Sequence, residues 1–372
     1  MKKQILMNYT FVLILFGMLS VISIYCAATY TSTSLGILSL KQLSWYIVGG
    51  VVVYFLVKLG ISRIYDFSWA LYFFFIGMLV LLLLFGEPVN GSKCWLFIPG
   101  IGSFQPSEFM KIILVLVLAN LICKFKNGND NSMKGEFLFI VKCLSVVMLP
   151  AVLTFLQPDT GAVLIYGVIF VAMMFASGIK LRWFLFALLC LVFIFGICGG
   201  IYFWDEDLFV RLFGTSLYYR IERIFMWSDG VGLQLENSLA AIGSASWFGH
   251  GFNKTPIYFP ESSTDFIFSV FASNFGFVGS IALLIFLLSF DLYILNLISK
   301  KNHSISYYVL VGFFGMLLFQ QIQNIGMTIG LFPIMGITLP FISYGGSSLL
   351  SYMIIYALII SISFERKKAF YK

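Results

Sequence analysis

The sequence predicts an all-α polytopic membrane protein of about ten transmembrane helices, with a large extracytoplasmic loop between spans seven and eight. Three observations carry that expectation. The 372-residue chain is 60% hydrophobic and 10% charged, with a mean hydropathy of +0.98, where a soluble domain is nearer half apolar and a quarter charged. Apolar runs of about twenty residues, the length a helix needs to cross hydrocarbon, recur from end to end. The few basic residues gather in short clusters between those runs, the arrangement that orients membrane helices. The net charge of +7 therefore points to a membrane surface and not to nucleic acid. No Pro/Gly/Ser-rich linker or short repeat interrupts the pattern, so one membrane domain over residues 1–372 is expected.

In order, the first run, residues 7–25, follows Lys2 and Lys3. It is long for the apolar part of a signal peptide and many spans follow, so it reads as an uncleaved first helix with a cytoplasmic N-terminus. Spans are expected near 7–27, 43–59, 68–86, 106–123, 137–156, 160–177, 183–204, 266–298, 305–329 and 343–363. This orientation puts Lys58, Arg63, Lys124, Lys126, Lys134, Lys180, Arg182, Lys300, Lys301 and the basic residues of 366–368 inside. Lys41, Lys93, Arg211, Arg220, Arg223 and Lys254 remain outside. The asymmetry obeys the positive-inside rule and places both termini in the cytoplasm of a bacterial cell.

Two outer segments, 87–105 and 205–265, are too polar to be spans. Asp205, Glu206 and Asp207 in the longer one read as a solvated face. Asp265 differs, because it follows Glu261, Ser262, Ser263 and Thr264 and directly abuts the next apolar run. It either caps the helix that begins there or is an acid at the lipid boundary, placed to act on a molecule half lipid and half polar. Glu108 and Lys111, three residues apart, share a helix face. Ionisable groups inside a span pair or line a polar cavity, which leaves two readings: a structural ion pair, or an outward cavity with Lys111 near an anionic group. Asp159, between Pro158 and Gly161, marks a helix break at an outer turn, and Asp291 reads as peripheral. The six cysteines lack metal or redox spacing and read as packing residues, a Cys26–Cys94 disulfide being the alternative. His250 and His303 are too far apart in sequence to suggest a metal site, and no P-loop or GxSxG motif occurs.

Several short motifs follow one another in a set order. Asn90 and Gly91 lead to Trp95; Gln105, Pro106, Ser107 and Glu108 come with Lys111; Gln157, Pro158 and Asp159 come with Gly161. Ala241, Ile242, Gly243 and Ser244 precede Pro260 and Glu261 with Thr264, Asp265 and Phe266. Asn324, Ile325, Gly326 and Met327 come with Gly330 and Pro333, and residues 339–348 read LPFISYGGSS. This ordered set resembles the SEDS family of cell-wall proteins, which includes RodA, FtsW and SpoVE. The 90–92 lead and the compact loop before Pro260 are most similar to the RodA branch.

The resemblance implies a ten-helix peptidoglycan glycosyltransferase that polymerises lipid II beside a class B penicillin-binding protein. It also implies that Asp265 is catalytic and that Trp95, Glu108 and Lys111 belong to the site. On that expectation Asp265 is the general base for the acceptor 4-hydroxyl, and inversion at the anomeric carbon gives a β-1,4 linkage. A diphosphate leaves without protonation if its charge is met. Lys93, Lys111, Arg220 and Arg223 are the candidate cations, and a divalent ion, Mg2+ or Mn2+, could share that role. Gln105, Ser107, Asp159, Ser238, Glu261, Thr264 and Ser343 complete the expected substrate-binding set. Arg220 and Arg223 could instead pair with Glu222 or Asp229, Lys93 could face water, Trp95 could anchor an interfacial helix, and 343–348 could be a small-residue packing seam.

The chain departs from the family pattern at Ser263 for His, Asn274 for Glu, Cys94 for the Arg before Trp95, Asn237 for Gln, and Ala245–Ser246 for Gly-Gly. Each swap alters charge, length or bulk near the expected site. A lipid II flippase or a non-catalytic scaffold for a transpeptidase would suit the same spans.

Overall fold

A computed structural model describes residues 2–27, 36–87, 92–98, 102–128, 132–215, 217–219, 221–222, 232–258, 260–301 and 303–365. The chain runs through α1 (Lys2–Ala27), α2 (Ile37–Leu59), α3 (Ile61–Asp66), α4 (Ser68–Phe85), β1 (Leu96–Ile98), β2 (Gly102–Phe104), α5 (Pro106–Asn127) and α6 (Met133–Leu156). It continues through α7 (Thr160–Ala176), α8 (Leu181–Trp204), α9 (Glu206–Phe213), α10 (Leu233–Gly243), α11 (Ile267–Ser299), α12 (Ile305–Thr328) and α13 (Gly346–Phe364).

All ten segments expected to span lie on helices. Among the described residues, 8 helices are long and apolar enough to cross a membrane. The remaining two expected segments are α5, which carries Glu108 and Lys111, and α7, which has 17 residues. Two boundaries move, and one outer segment gains structure. Helix α2 starts at Ile37, so Lys41, expected in an outer loop, sits in its first turns. The last helix starts at Gly346, leaving Ser343 in a turn closed by its N–H on the Leu339 carbonyl at 3.1 Å. The polar segment 87–105 holds a small antiparallel hairpin that pairs Leu96 with Phe104 and Ile98 with Gly102, a β element the all-α expectation lacked.

Helix α5 is the hub. Nearly every residue from Pro106 to Ile122 is buried, and it packs against α4, α6, α7, α12 and α13. A helix apolar on all sides belongs in a core or in lipid. Helix α8 takes the second option, since none of its residues is buried within the chain. It is tied down where it begins: Arg182 Nη2 and Trp183 Nε1 donate to Glu136 Oε2 at 3.1 and 2.9 Å, with Lys180 3.6 Å from the other oxygen.

Helix α11 is broken. Gly276 has φ 66° and ψ −164°, a combination open essentially to glycine alone. The freed backbone groups pair with the incoming loop: Phe277 N donates to Ser246 O at 3.0 Å, and Gly251 N to Asn274 O at 3.1 Å. Gly249 faces Gly276 so closely that a Cβ on either would overlap the other's backbone. Non-helical backbone at membrane depth is tolerated only when protein satisfies it in this way. Asn274 completes the seam, accepting from Lys254 N at 2.9 Å and donating to Thr255 Oγ1 at 2.7 Å.

Candidate active site

Four helix starts converge at one end of the bundle. Asp159 caps α7, accepting from Ala162 N at 3.0 Å, and also accepts from Gln105 Nε2 at 2.9 Å and Ser107 Oγ at 3.0 Å. One carboxylate therefore joins the starts of α5 and α7, which explains why Pro106, suited to the first helical position, is framed by two donors. The start of α13 joins them, with Gln105 N donating to Ser347 Oγ at 3.1 Å and Ser347 Oγ to Ser103 O at 3.0 Å. Gly161 must be small, because a Cβ there would lie 2.8 Å from the Met335 carbonyl.

The turn before α11 is strapped from two sides. Asn324 Nδ2 donates to the carbonyls of Asp265 and Ile337, both at 2.8 Å. Ser343 Oγ donates to Thr264 O at 2.6 Å, and Tyr344 N to Ser263 O at 2.9 Å. Asp265 does not cap α11. The residue flanking that helix is Phe266, and no side chain caps it. The cap reading is thereby excluded, and the Asp265 carboxyl is left for other work.

These elements enclose a cavity of about 630 Å3. Its lining includes Trp95, Gln105, Glu108 and Asp159, the Glu261, Thr264 and Asp265 turn, residues 334–338, Tyr344 and Ser348. Burial first, then the nearby Glu261 carboxylate, push the Asp265 carboxyl up from 3.8 to about 7, so it both accepts and releases a proton near neutrality. Beneath the cavity Lys111 Nζ lies 2.7 Å from Glu108 Oε2 and the lysine side chain is 1% exposed. Glu108 lines the cavity; Lys111 lies behind it, 5.7 Å from the Tyr352 ring centroid.

The structure thus brings together Trp95, Gln105, Glu108, Asp159, Glu261, Thr264 and Asp265. It places others differently. Lys93 is half-buried and outside the cavity lining. Ser107 lies behind Asp159, and Ser343 is a strap. Ser238 is buried between helices, 2.5 Å from Ser269 Oγ and donating to Thr328 O at 2.8 Å. Lys111 takes the ion-pair reading, because its Nζ is spent on Glu108 inside the bundle. Arg220 and Arg223 lie outside the described residues, as do Asn90 and Gly91. Asp291, read as peripheral, is buried and accepts from Gln321 Nε2 at 3.2 Å. Residues 343–348 divide: Ser347 and Gly346 pack, while Tyr344 and Ser348 line the cavity. Cys26 and Cys94 are not joined by a disulfide; burial pushes the Cys94 thiol up to about 12, and it donates to Gln157 O at 3.0 Å.

Gln320 and the 334–338 loop were missed. Gln320 lines the cavity and donates to Tyr352 Oη at 2.8 Å. The polar run Gln320, Gln321, Gln323, Asn324 inside an otherwise apolar helix was the signal available. Among the described residues no group of three or more His, Cys, Asp or Glu side chains is arranged to hold a metal ion.

A sequence profile of the FtsW, RodA and SpoVE family, described as cell cycle proteins, matches residues 4–368. The chain is 33% identical over 332 residues to the probable peptidoglycan glycosyltransferase FtsW of Saccharophagus degradans, covering 86% of this chain and 80% of that protein. It is 30% identical to the peptidoglycan glycosyltransferase RodA of Treponema pallidum, covering 87% and 89%. In fold it is similar to the rod shape determining protein RodA of Thermus thermophilus, with a TM-score of 0.67 at 24% identity over 95% of each chain. It is also similar to a chain of a peptidoglycan synthase complex that coordinates polymerization and crosslinking, with a TM-score of 0.78 at 24% identity over 95% and 96%. The chain belongs to the FtsW/RodA/SpoVE family and is a multi-pass membrane protein. FtsW and RodA names occur at nearly equal identity, which places the chain in the family without choosing a branch.

Proposed function

We propose that this chain is a peptidoglycan glycosyltransferase that polymerises lipid II into β-1,4 glycan at the outer face of the cytoplasmic membrane, in cell elongation, division or sporulation. The observation that carries the reading is the Asp265 carboxyl, shifted up to about 7 on the wall of the 630 Å3 cavity. Names of relatives at 33% and 30% identity support the reaction class. The end of the bundle that holds the cavity lies opposite Lys180, Arg182 and Lys301, so the positive-inside rule puts it outside.

On this reading the Asp265 carboxylate takes the proton of the acceptor 4-hydroxyl as that oxygen bonds to the donor's anomeric carbon. The bond from that carbon to the diphosphate oxygen breaks on the opposite side, and the lipid diphosphate departs with the electron pair. One displacement inverts the centre, and one base suffices because the leaving group needs charge compensation and no proton. Arg220 and Arg223 are proposed to supply that compensation from the loop, and Trp95 to offer an apolar face to the sugar. A divalent cation, Mg2+ or Mn2+, held by the substrate diphosphate would supply the same charge compensation. A class B penicillin-binding protein is the proposed partner, in keeping with the complex in which a chain of the same fold works.

The test is purified protein with lipid II, run with and without such a partner. Glycan product supports the polymerase. Translocation of fluorescent lipid II in liposomes without product would make it a flippase, and neither activity, with transpeptidase stimulation, a scaffold.

A further inference from the structure

The base proposed above has a charged neighbour that the reaction itself does not require. Glu261 has φ 56°, the left-handed region that costs a non-glycine residue free energy and persists only where the surroundings impose it. The surroundings are a tight turn: Thr264 N and Phe266 N both donate to the Glu261 carbonyl, at 3.2 and 3.1 Å. The Thr264 hydroxyl donates to Glu261 Oε2 at 2.7 Å. The Thr264 and Asp265 carbonyls are in turn held by Ser343 and Asn324. Glu261 itself is exposed at the cavity rim.

We propose that Glu261 is a positioning residue that fixes the pH range in which Asp265 works as a base, by holding a second negative charge in the same turn of the cavity lining. The inference rests on Asp265 being that base. Among the described residues, the other titratable groups lining the cavity are Glu108, Asp159, Cys94 and Tyr344. Glu108 is matched by Lys111 at 2.7 Å. Asp159 is engaged by three donors. The Cys94 thiol is pushed up to about 12 and the Tyr344 hydroxyl is also pushed up, so both stay neutral near pH 7. Loop 334–338, whose Gly336 faces Asp265 Oδ2, and the nearby Gln320 and Asn324 of α12 carry no charge. Glu261 is the one carboxylate in this turn that adds to burial in raising Asp265. A base of ordinary carboxylate strength would be ionised at every physiological pH yet take a sugar hydroxyl proton poorly; the added charge strengthens it.

The experiment is the pH profile of initial lipid II polymerisation rate for the wild type, Glu261→Gln and Glu261→Asp, with Asp265→Asn as reference. Ionisation of lipid II is common to all four and cancels in the comparison. Gln matches Glu in shape, is as exposed, and adopts the same φ equally well. The proposal expects the acid limb of Glu261→Gln to fall by about half to one pH unit with a lower plateau. Glu261→Asp, which keeps the charge, should hold the limb near its wild-type position. An unmoved limb in Glu261→Gln, with Asp265→Asn inactive, would overturn the role of Glu261 and leave the base intact. Glycan made by Asp265→Asn would overturn both.

Discussion

Replacing Lys111 with Met separates a structural ion pair from a substrate contact. The ammonium is 2.7 Å from Glu108 Oε2, and the two side chains are 1% and 11% exposed. Once the lysine is gone, the remaining donor shown to Glu108 is the Ser351 hydroxyl at 3.3 Å. Breaking a buried pair by removing one partner costs about 3–5 kcal/mol, because the other charge stays buried. Glu108 touches the cavity and can be hydrated from it, so the low end of that range applies, about 3 kcal/mol. The double variant Glu108→Gln/Lys111→Met buries no charge and should recover most of the loss, since a neutral pair often matches an ionic one inside protein. The assay is thermal unfolding of purified protein in detergent, paired with lipid II polymerisation. The account predicts a lowered melting temperature for Lys111→Met and near wild-type melting for the double variant. Unchanged melting with abolished polymerisation in both variants would refute the pair and return Lys111 to the substrate.

Gly276→Ala should yield little folded protein by size-exclusion chromatography, because the φ of 66° excludes a Cβ that would also strike the Gly249 backbone. Asp159→Ala should cost about 1 kcal/mol for the lost cap of α7, and more because Gln105 and Ser107 lose their acceptor; the melting temperature reads it. Asp265 carries a pH-dependent penalty. Its folded value, about 7, exceeds the ordinary aspartate value of 3.8, so its ionisation costs nothing below about pH 4 and the full penalty accrues once the pH passes 7. Asp265→Asn should therefore stabilise the protein more at pH 8 than at pH 5, read by the same unfolding assay.

The length of the apolar runs located the spans because bilayer thickness fixes it, and each expected segment lies on a helix. The start of α2 was placed late, since the polar residues Ser39 and Gln42 are buried and hydrogen-bonded, and that of α13 early, since Ser343 and Tyr344 belong to a turn that straps residues 263 and 264. The break in α11 was invisible: Gly276 sits in an unbroken apolar run, and only the loop docked against it reveals the need for glycine. At the site, Asp265, Glu261 and Glu108 were legible from where charge meets apolar sequence. The division of labour was not. Spacing put Lys111 and Glu108 on one helix face, but it cannot say that Ser238 and Ser343 are straps or that Gln320 reaches the cavity, because each depends on a helix distant in sequence.

The most direct test compares Asp265→Ala with the wild type in lipid II binding and polymerisation by the purified protein. The account predicts retained binding of lipid II and no glycan product, because the cavity stays intact while the proton acceptor is gone. Glycan strands formed by Asp265→Ala would contradict it.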